Sequence, residues 1–341
     1  ENRVRPACRQ AGSRRPDSVL DEMERITLTT QPTDSYELID SGAEEKLERY
    51  GEVVLARPDP QALWGKLLPE AQWQKADAVY ARAKEGRGPS AGKAGLPAGR
   101  QGEWKQKKSL PAQWQITFGG LEFIIRATSF KHTGLFPEQL AHWQWASEQI
   151  KRVGDSPKVL NLFGYTGGAT LAAAKAGAQV THVDASKTAV AWARENAEAS
   201  GLSDAPIRWI VEDALTFVRR EIKRGNTYDA IFMDPPAFGH GPKGELWKIE
   251  EDFVELCKLC TQLLSQKPLF FVISGYAAGY SPLALAYNLE PLVPRFGGLV
   301  TFGDLTIAQS IHSNAEKNKN GVGDTQNQRL LPCGIFARWS R

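Results

Sequence analysis

KVLNLFGYTGG, residues 158–168, is the stretch on which the fold of this chain turns. The apolar run from Val159 to Phe163 reads as a buried strand, and Gly164, Gly167 and Gly168 let the backbone turn tightly and come close to a ligand. Such a strand and loop form a nucleotide-type cradle. A second strand, Gln179 to Val183, delivers Asp184 twenty residues after Gly164, where a carboxylate can accept hydrogen bonds from both hydroxyls of an adenosine ribose. A third, Tyr228 to Met233, runs straight into Asp234-Pro235-Pro236-Ala237-Phe238.

The glycine order separates this cradle from its dinucleotide relative. NAD requires G-x-G-x-x-G, whereas the loop here reads Gly164, Tyr165, Thr166, Gly167, Gly168, and the glycines at 86, 88 and 92 fail the last spacing. A pyrophosphate needs bare backbone N–H groups, but a methionyl cofactor presents a carboxylate, an ammonium and a sulfonium, so Tyr165 and Thr166 are admissible. A ribose-binding acid followed by a strand-end DPPAF points to S-adenosylmethionine and methyl transfer.

With 341 residues, 42% of them hydrophobic, the chain can bury one large core and a smaller one. A net charge of +3 permits nucleic-acid binding without demanding it. The charge is concentrated between Arg82 and Lys108, where Trp104 interrupts eight basic residues; this is either a solvated polar loop or an arm for RNA. Cys8, Cys257, Cys260 and Cys333 form no pair of pairs for zinc, and Cys257 and Cys260 fall on one apolar helical face. The five histidines, His132, His142, His182, His240 and His312, lack ligand spacing, so no metal is expected. No signal peptide and no membrane-spanning run is recognisable, which predicts a cytoplasmic protein.

Residues 1–22 read as a disordered tail, 23–127 as a small β-rich domain with the basic loop at about 82–108, and 128–341 as the cofactor-binding catalytic domain. Within the small domain, Gln61 to Leu68 is helix-like, and Gln113 to Phe118 with Leu121 to Ala127 form a hairpin turning at Gly119-Gly120. After a helix at 138–153, strands and helices alternate, with a long helix expected over 245–266. Such alternation demands parallel strands with right-handed crossovers and helices on both faces, and a ligand at the carboxyl ends of the strands.

Residues 128–341 resemble the class I S-adenosylmethionine-dependent methyltransferases, and within them the bacterial large-subunit ribosomal RNA methyltransferases of cytosine C5 or guanine N7. The segments carrying the resemblance are KHTGLFPEQ (131–139), NLFGYTGGAT (161–170), VDAS (183–186), EDA (212–214) and MDPPAF (233–238). It implies a Rossmann-like, doubly wound α/β sheet of seven strands, with residues 334–339 as the inserted antiparallel strand. It also implies that His132, Thr133, Gly134 and Phe136 flank the methionyl part of the cofactor, that Asn161, Phe163, Gly164, Tyr165, Thr166 and Gly167 form its loop, and that Asp184, Ala185 and Ser186 hold the ribose. Asp213 and Ala214 would meet the adenine; Asp213 can also cap the helix that follows.

In DPPAF, two prolines stop the strand ladder and aim the Asp234 carboxylate and the Pro235 carbonyl into the pocket, with Phe238 as a face for a flat base. Asp234, Pro235 and Phe238 are thus the expected catalytic residues, and Asp234 also borders the cofactor. Attack at cytosine C5 needs a cysteine nucleophile, yet the strand end where that subgroup carries one reads Val272-Ile273-Ser274-Gly275-Tyr276. A nitrogen acceptor is favoured. Three classes stay open: a methyltransferase of RNA, with ribosomal RNA favoured; one of a small planar molecule or a protein side chain; and a non-catalytic S-adenosylmethionine-binding protein. The oligomeric state has no sequence signal.

Overall fold

The computed structural model describes residues 23–82, 102–128, 131–276, 279–310 and 328–341. The expected tail at 1–22, residues 83–101 of the basic stretch, Cys8 and His312 lie outside the described residues.

The chain opens with β1 (Met23–Thr30), β2 (Tyr36–Gly42), β3 (Glu45–Tyr50), β4 (Val53–Pro58), the short α1 (Glu70–Trp73), β5 (Ala78–Arg82) and β6 (Gly102–Gln106). Strands β2 to β6 lie in sequence order in a five-stranded sheet. A hairpin of β7 (Trp114–Phe118) and β8 (Leu121–Ile125) follows, turning through Gly119 and Gly120 at φ of 61° and 76°. Two successive left-handed residues are what a type I′ turn needs, and two glycines supply them without strain.

Beyond a 3-10 turn at Pro137–Gln139 come α2 (Leu140–Val153), β9 (Lys158–Leu162), α3 (Gly168–Lys175), β10 (Gln179–Asp184), α4 (Lys187–Ala199), β11 (Ile207–Val211), α5 (Ala214–Arg224) and β12 (Ala230–Met233). The chain ends with β13 (Phe238–His240), β14 (Leu246–Lys248), α6 (Ile249–Leu263), β15 (Phe270–Gly275), α7 (Pro282–Leu289), α8 (Leu292–Phe296), β16 (Leu299–Ala308) and β17 (Leu330–Ser340). The large sheet has the order β1-β16-β17-β15-β12-β9-β10-β11, with β17 antiparallel to both neighbours. Seven of these strands are the expected methyltransferase sheet, with 334–339 inside the inserted β17.

The eighth is β1, which comes from the segment assigned by sequence to the small domain. It pairs in parallel with β16 in unbroken register from Met23↔Val300 to Thr30↔Ile307, and so covers an edge that would otherwise expose unpaired backbone groups. Two local expectations are corrected. Gln61–Leu68 is not helical; its backbone is used instead to satisfy Asp40, whose carboxylate accepts from the Leu67 and Leu68 N–H groups and from Trp73 Nε1. The helix expected over 245–266 begins only at Ile249, because residues 246–248 pair with 238–240 as a hairpin.

Alternation along β9 splits the core. Leu160 and Leu162 pack with Phe217 and Val218 of α5 and Leu256 and Cys260 of α6, whereas Val159 faces Ile150 of α2 and Ala173 of α3. The β7–β8 hairpin docks on this second layer: the Ile124 N–H donates to Asn196 Oδ1 at 2.9 Å, Trp192 Nε1 donates to the Ile124 carbonyl at 2.8 Å, and Phe123 stacks on Trp143. Trp114 Nε1 in turn donates to the Tyr50 carbonyl, so the hairpin ties the five-stranded sheet to the large one.

His142 of α2 is buried against Phe336 with neither ring nitrogen hydrogen-bonded, and burial pushes its pKa down to about 3. A lowered value in the fold means that stability is complete above the unfolded value near 6.5 and is lost as the pH falls below it. His142→Leu removes that loss: relative to wild type the variant gains about 1 kcal/mol between about pH 7.5 and about pH 5.5. Thermal melts at the two pH values check this, and parallel shifts of both proteins would refute it.

Candidate active site

The carboxyl ends of β9, β10, β11, β12 and β15 open into one cavity of about 640 Å³, a size suited to a nucleoside-type ligand. Its floor is the loop after β9. Phe163 and Tyr165 hold φ of 57° and 45°, a conformation that side chains other than glycine adopt at a cost and that clusters at ligand sites. Between them, Gly164 packs on a buried imidazole: a Cβ there would lie 2.4 Å from His182. The loop is fixed from both sides, since Thr166 Oγ1 donates to the Gly134 carbonyl at 2.6 Å and Asn196 Nδ2 donates to the Thr166 carbonyl at 2.9 Å.

Asp184 stands at the tip of β10. Its two carboxylate oxygens accept the N–H groups of Tyr165 and Ser186, each at 2.8 Å, which aims the side chain across the loop. Burial pushes its pKa up while those two N–H groups pull it back. Ser186 caps α4 by accepting from the Ala189 N–H, and Asp213 caps α5 by accepting from the Thr216 N–H at 2.8 Å. Asp213 and Ala214 also line the cavity, so capping and ligand facing coincide.

Of the residues expected to hold cofactor, His132, Gly134, Phe136, Asn161, Phe163, Gly164, Tyr165, Thr166, Asp184, Ala185, Ser186, Asp213, Ala214 and Asp234 line this cavity. Thr133 and Gly167 do not. Gly167 instead precedes α3 at φ 92°, and Thr133 is fully buried beneath the segment. Asn161 spends its amide on Thr170, which bonds His182, so it braces the loop.

Asp234 and Pro235 line the same space, but Phe238 is displaced from it. Pairing of β13 with β14 puts Phe238 opposite Lys248 and turns its ring edge-on to His240, while Gly239, His240 and Gly241 border the opening. The Pro236 carbonyl is also occupied, accepting from Trp247 Nε1. Burial pushes the Asp234 carboxyl up to about 7. Its Oδ2 accepts from Gln139 Nε2 at 3.2 Å, and Gln139 Oε1 accepts from Ser274 Oγ at 3.2 Å, a relay that links DPPAF to the end of β15.

Several cavity residues lacked an individual sequence assignment. Gln139 and the buried Glu138 sit within the quoted KHTGLFPEQ segment, yet their inward aim depends on the 3-10 turn, which is pinned when Thr30 Oγ1 donates to the Pro137 carbonyl. Burial pushes Glu138 up to about 8, with Lys46 and its own backbone N–H pulling it down. Lys46, Arg57 and Asp59 reach the cavity from the five-stranded sheet, and only tertiary docking places them there. Arg57 donates to Glu48, to Tyr50 Oη and to the Lys131 carbonyl, anchoring the start of the 131–139 segment. Phe136 sits amid His132, Tyr165 and the exposed Tyr276, with ring centroids 5.2–5.5 Å away. Tyr276 lines the cavity, which Phe238 does not.

Against this geometry, a family model described as S-adenosylmethionine-dependent methyltransferase matches residues 71–280. The chain belongs to that family. A solved S-adenosylmethionine-dependent methyltransferase from Agrobacterium tumefaciens is 38% identical, covers 93% of this chain with 95% of its own, and superposes with a TM-score of 0.80. The methyltransferase SMU.776 in complex with S-adenosylhomocysteine, 19% identical over 90% of this chain and 76% of its own, shares the fold with a TM-score of 0.58. Curated relatives include the ribosomal RNA large subunit methyltransferases K/L of Ectopseudomonas mendocina, 35% identical over 49% of this chain, and Shewanella frigidimarina, 36% identical over 43%. The chain spans only about a fifth of their length, 22% and 20%.

S-adenosylmethionine is therefore the cofactor, and the residues present fit it: a strand-end carboxylate able to accept from ribose hydroxyls, Asp213 at the next strand, and a strained loop beneath. Among the described residues no group of three or more His, Cys, Asp or Glu gathers as a metal site, and no helix is long and apolar enough to cross a membrane.

Proposed function

We propose that this methyltransferase modifies a ring or amino nitrogen of a base in RNA, with ribosomal RNA the favoured source. The observation that carries the reading is the recessed Asp234 carboxyl at the end of β12, held by Gln139 and facing a cavity bordered by the exposed ring of Tyr276. A flat base stacked on Tyr276 would present its edge to Asp234 and to the Pro235 carbonyl, both acceptors of N–H. When bound, S-adenosylmethionine supplies a methyl group on a positively charged sulfur. The protein's task is alignment, since such a methyl needs an in-line lone pair more than it needs acid catalysis. The names of the K/L relatives support ribosomal RNA as the source.

Carbon methylation through a cysteine adduct is disfavoured by the thiols themselves. Cys257 and Cys260 are buried in α6. Cys333 does line the cavity, which its place before residues 334–339 did not suggest, but burial and the neighbouring Glu138 hold its pKa well up, so the thiol stays protonated. Cys333→Ser is expected to keep transfer within about threefold of wild type, whereas an obligatory nucleophile would lose several orders of magnitude.

Single-turnover transfer to ribosomal RNA fragments tests the acceptor. Tyr276→Ala should weaken productive RNA binding by about 1–3 kcal/mol while Phe238→Ala changes it by much less. Equal effects of the two substitutions would remove the stacking role from Tyr276. Absence of transfer to any RNA by wild type, with cofactor binding intact, would instead favour a small planar or protein acceptor. The basic residues at Lys107 and Lys108 are engaged within the small domain, with the Gln74 carbonyl and Asp77, so RNA contact by that stretch is not required by this reading.

A further inference from the structure

The carboxyls that line the cavity include the half-buried Asp234 and the buried Glu138, and of these two, among the described residues, only Asp234 is held by another side chain. Asp234 is gripped by Gln139, which is gripped by Ser274. Glu138, the residue before Gln139, is 3% exposed and lines the same cavity, and among the described residues no side chain hydrogen-bonds or ion-pairs with its carboxyl. A buried carboxyl bonded only by its own backbone N–H is costly to ionise, and a fold keeps it there when something else compensates. Its charged and titratable surroundings come from three other elements: Lys46 and Glu48 of β3, Asp234 beyond β12, and Cys333 of β17. Lys46 is itself committed, lying 3.3 Å from Asp59 and 3.6 Å from Glu48, so it lends field without closing on Glu138.

We propose that Glu138 is a second acceptor-side catalytic residue: its carboxylate accepts the N–H of the nitrogen being methylated and takes that proton as the methyl arrives. This rests on the nitrogen-acceptor reading above and deepens it. The nitrogen lone pair forms the new N–C bond, the C–S bond breaks with its electron pair going to sulfur, and the nitrogen acquires a positive charge. The proton on that nitrogen then passes to Glu138 Oε, leaving a neutral methylated base, a neutral thioether and a protonated Glu138 that returns its proton to solvent. Asp234, fixed through Oδ2, orients the base; Glu138, held by no other side chain among the described residues, moves the proton. Burial pushes Glu138 toward neutral pH, where a carboxyl is a far better base than at its ordinary value. The assignment also gives the small domain a place in the chemistry, because Lys46 on β3 is the cation that favours the ionised form of Glu138.

The test is single-turnover transfer by the full chain, from pre-bound S-adenosylmethionine to a ribosomal RNA fragment, between about pH 5.5 and about pH 9, for wild type, Glu138→Gln and Glu138→Asp. S-adenosylhomocysteine titration and thermal melts accompany it. The expected result is a wild-type rate rising with pH through the region where the two carboxyls titrate as a pair, and a plateau about 10²-fold lower in Glu138→Gln with that limb shifted to lower pH. Glu138→Asp should recover part of the rate, and cofactor affinity should stay near wild type in both variants. A folded Glu138→Gln with the wild-type plateau and profile overturns the assignment while leaving the nitrogen reading intact. A wild type that transfers to no RNA, or that methylates carbon, overturns both.

Discussion

Asp234→Asn should lower single-turnover methyl transfer by about 10²-fold while leaving affinity for S-adenosylhomocysteine within about threefold of wild type. The amide can still accept from Gln139 Nε2 with its one oxygen, so the fold of the strand end survives. It then presents an NH₂ where an acceptor was, and a base amino group meets a donor instead of a partner. The pH dependence has a definite sign. Burial holds the Asp234 carboxyl up to about 7, so the ionised, accepting form grows as the pH rises through that value, and wild-type transfer should rise with it. In Asp234→Asn the portion of the limb due to Asp234 disappears. A variant that loses cofactor binding but keeps the transfer rate of its bound fraction would make DPPAF a wall of the cofactor site.

Asp184→Ala should weaken S-adenosylmethionine binding by about 1–3 kcal/mol, roughly 5- to 150-fold. Two losses combine here. The ribose hydroxyls lose their acceptor, and the Tyr165 and Ser186 N–H groups lose the carboxylate that aligns the loop and the start of α4. Asp184→Asn separates them: it can keep one of the two N–H contacts and one ribose contact, so it should fall between Ala and wild type. Calorimetry that finds unchanged affinity in Asp184→Ala would remove Asp184 from the site.

The parts legible in sequence are those in which one strand end carries the chemistry. Val159–Phe163, Asp184, Asp213 and DPPAF each sit at a carboxyl end, and apolar periodicity is enough to put those ends side by side. Phe238 was misplaced because three-residue strands such as β13 and β14 carry too little pattern to separate a hairpin from the first turn of a helix. Lys46, Arg57 and Asp59 were invisible as site residues for a different reason: a mostly β domain reaches the cavity only after β1 has joined the large sheet and the β7–β8 hairpin has docked. Glu138 lay inside a recognised segment, but its burial against the cavity is a property of packing that no residue type announces.

The central claim is methyl transfer to a nitrogen of RNA, and one measurement bears on it most directly. Ribosomal RNA from cells lacking the gene, incubated with the purified chain and methyl-labelled S-adenosylmethionine, is digested to nucleosides and resolved by mass. The account predicts label in a single N-methylated nucleoside, dependent on Asp234 and independent of Cys333. Label on a pyrimidine C5, abolished by Cys333→Ser, would contradict it, as would a protein that binds the cofactor and labels no nucleoside.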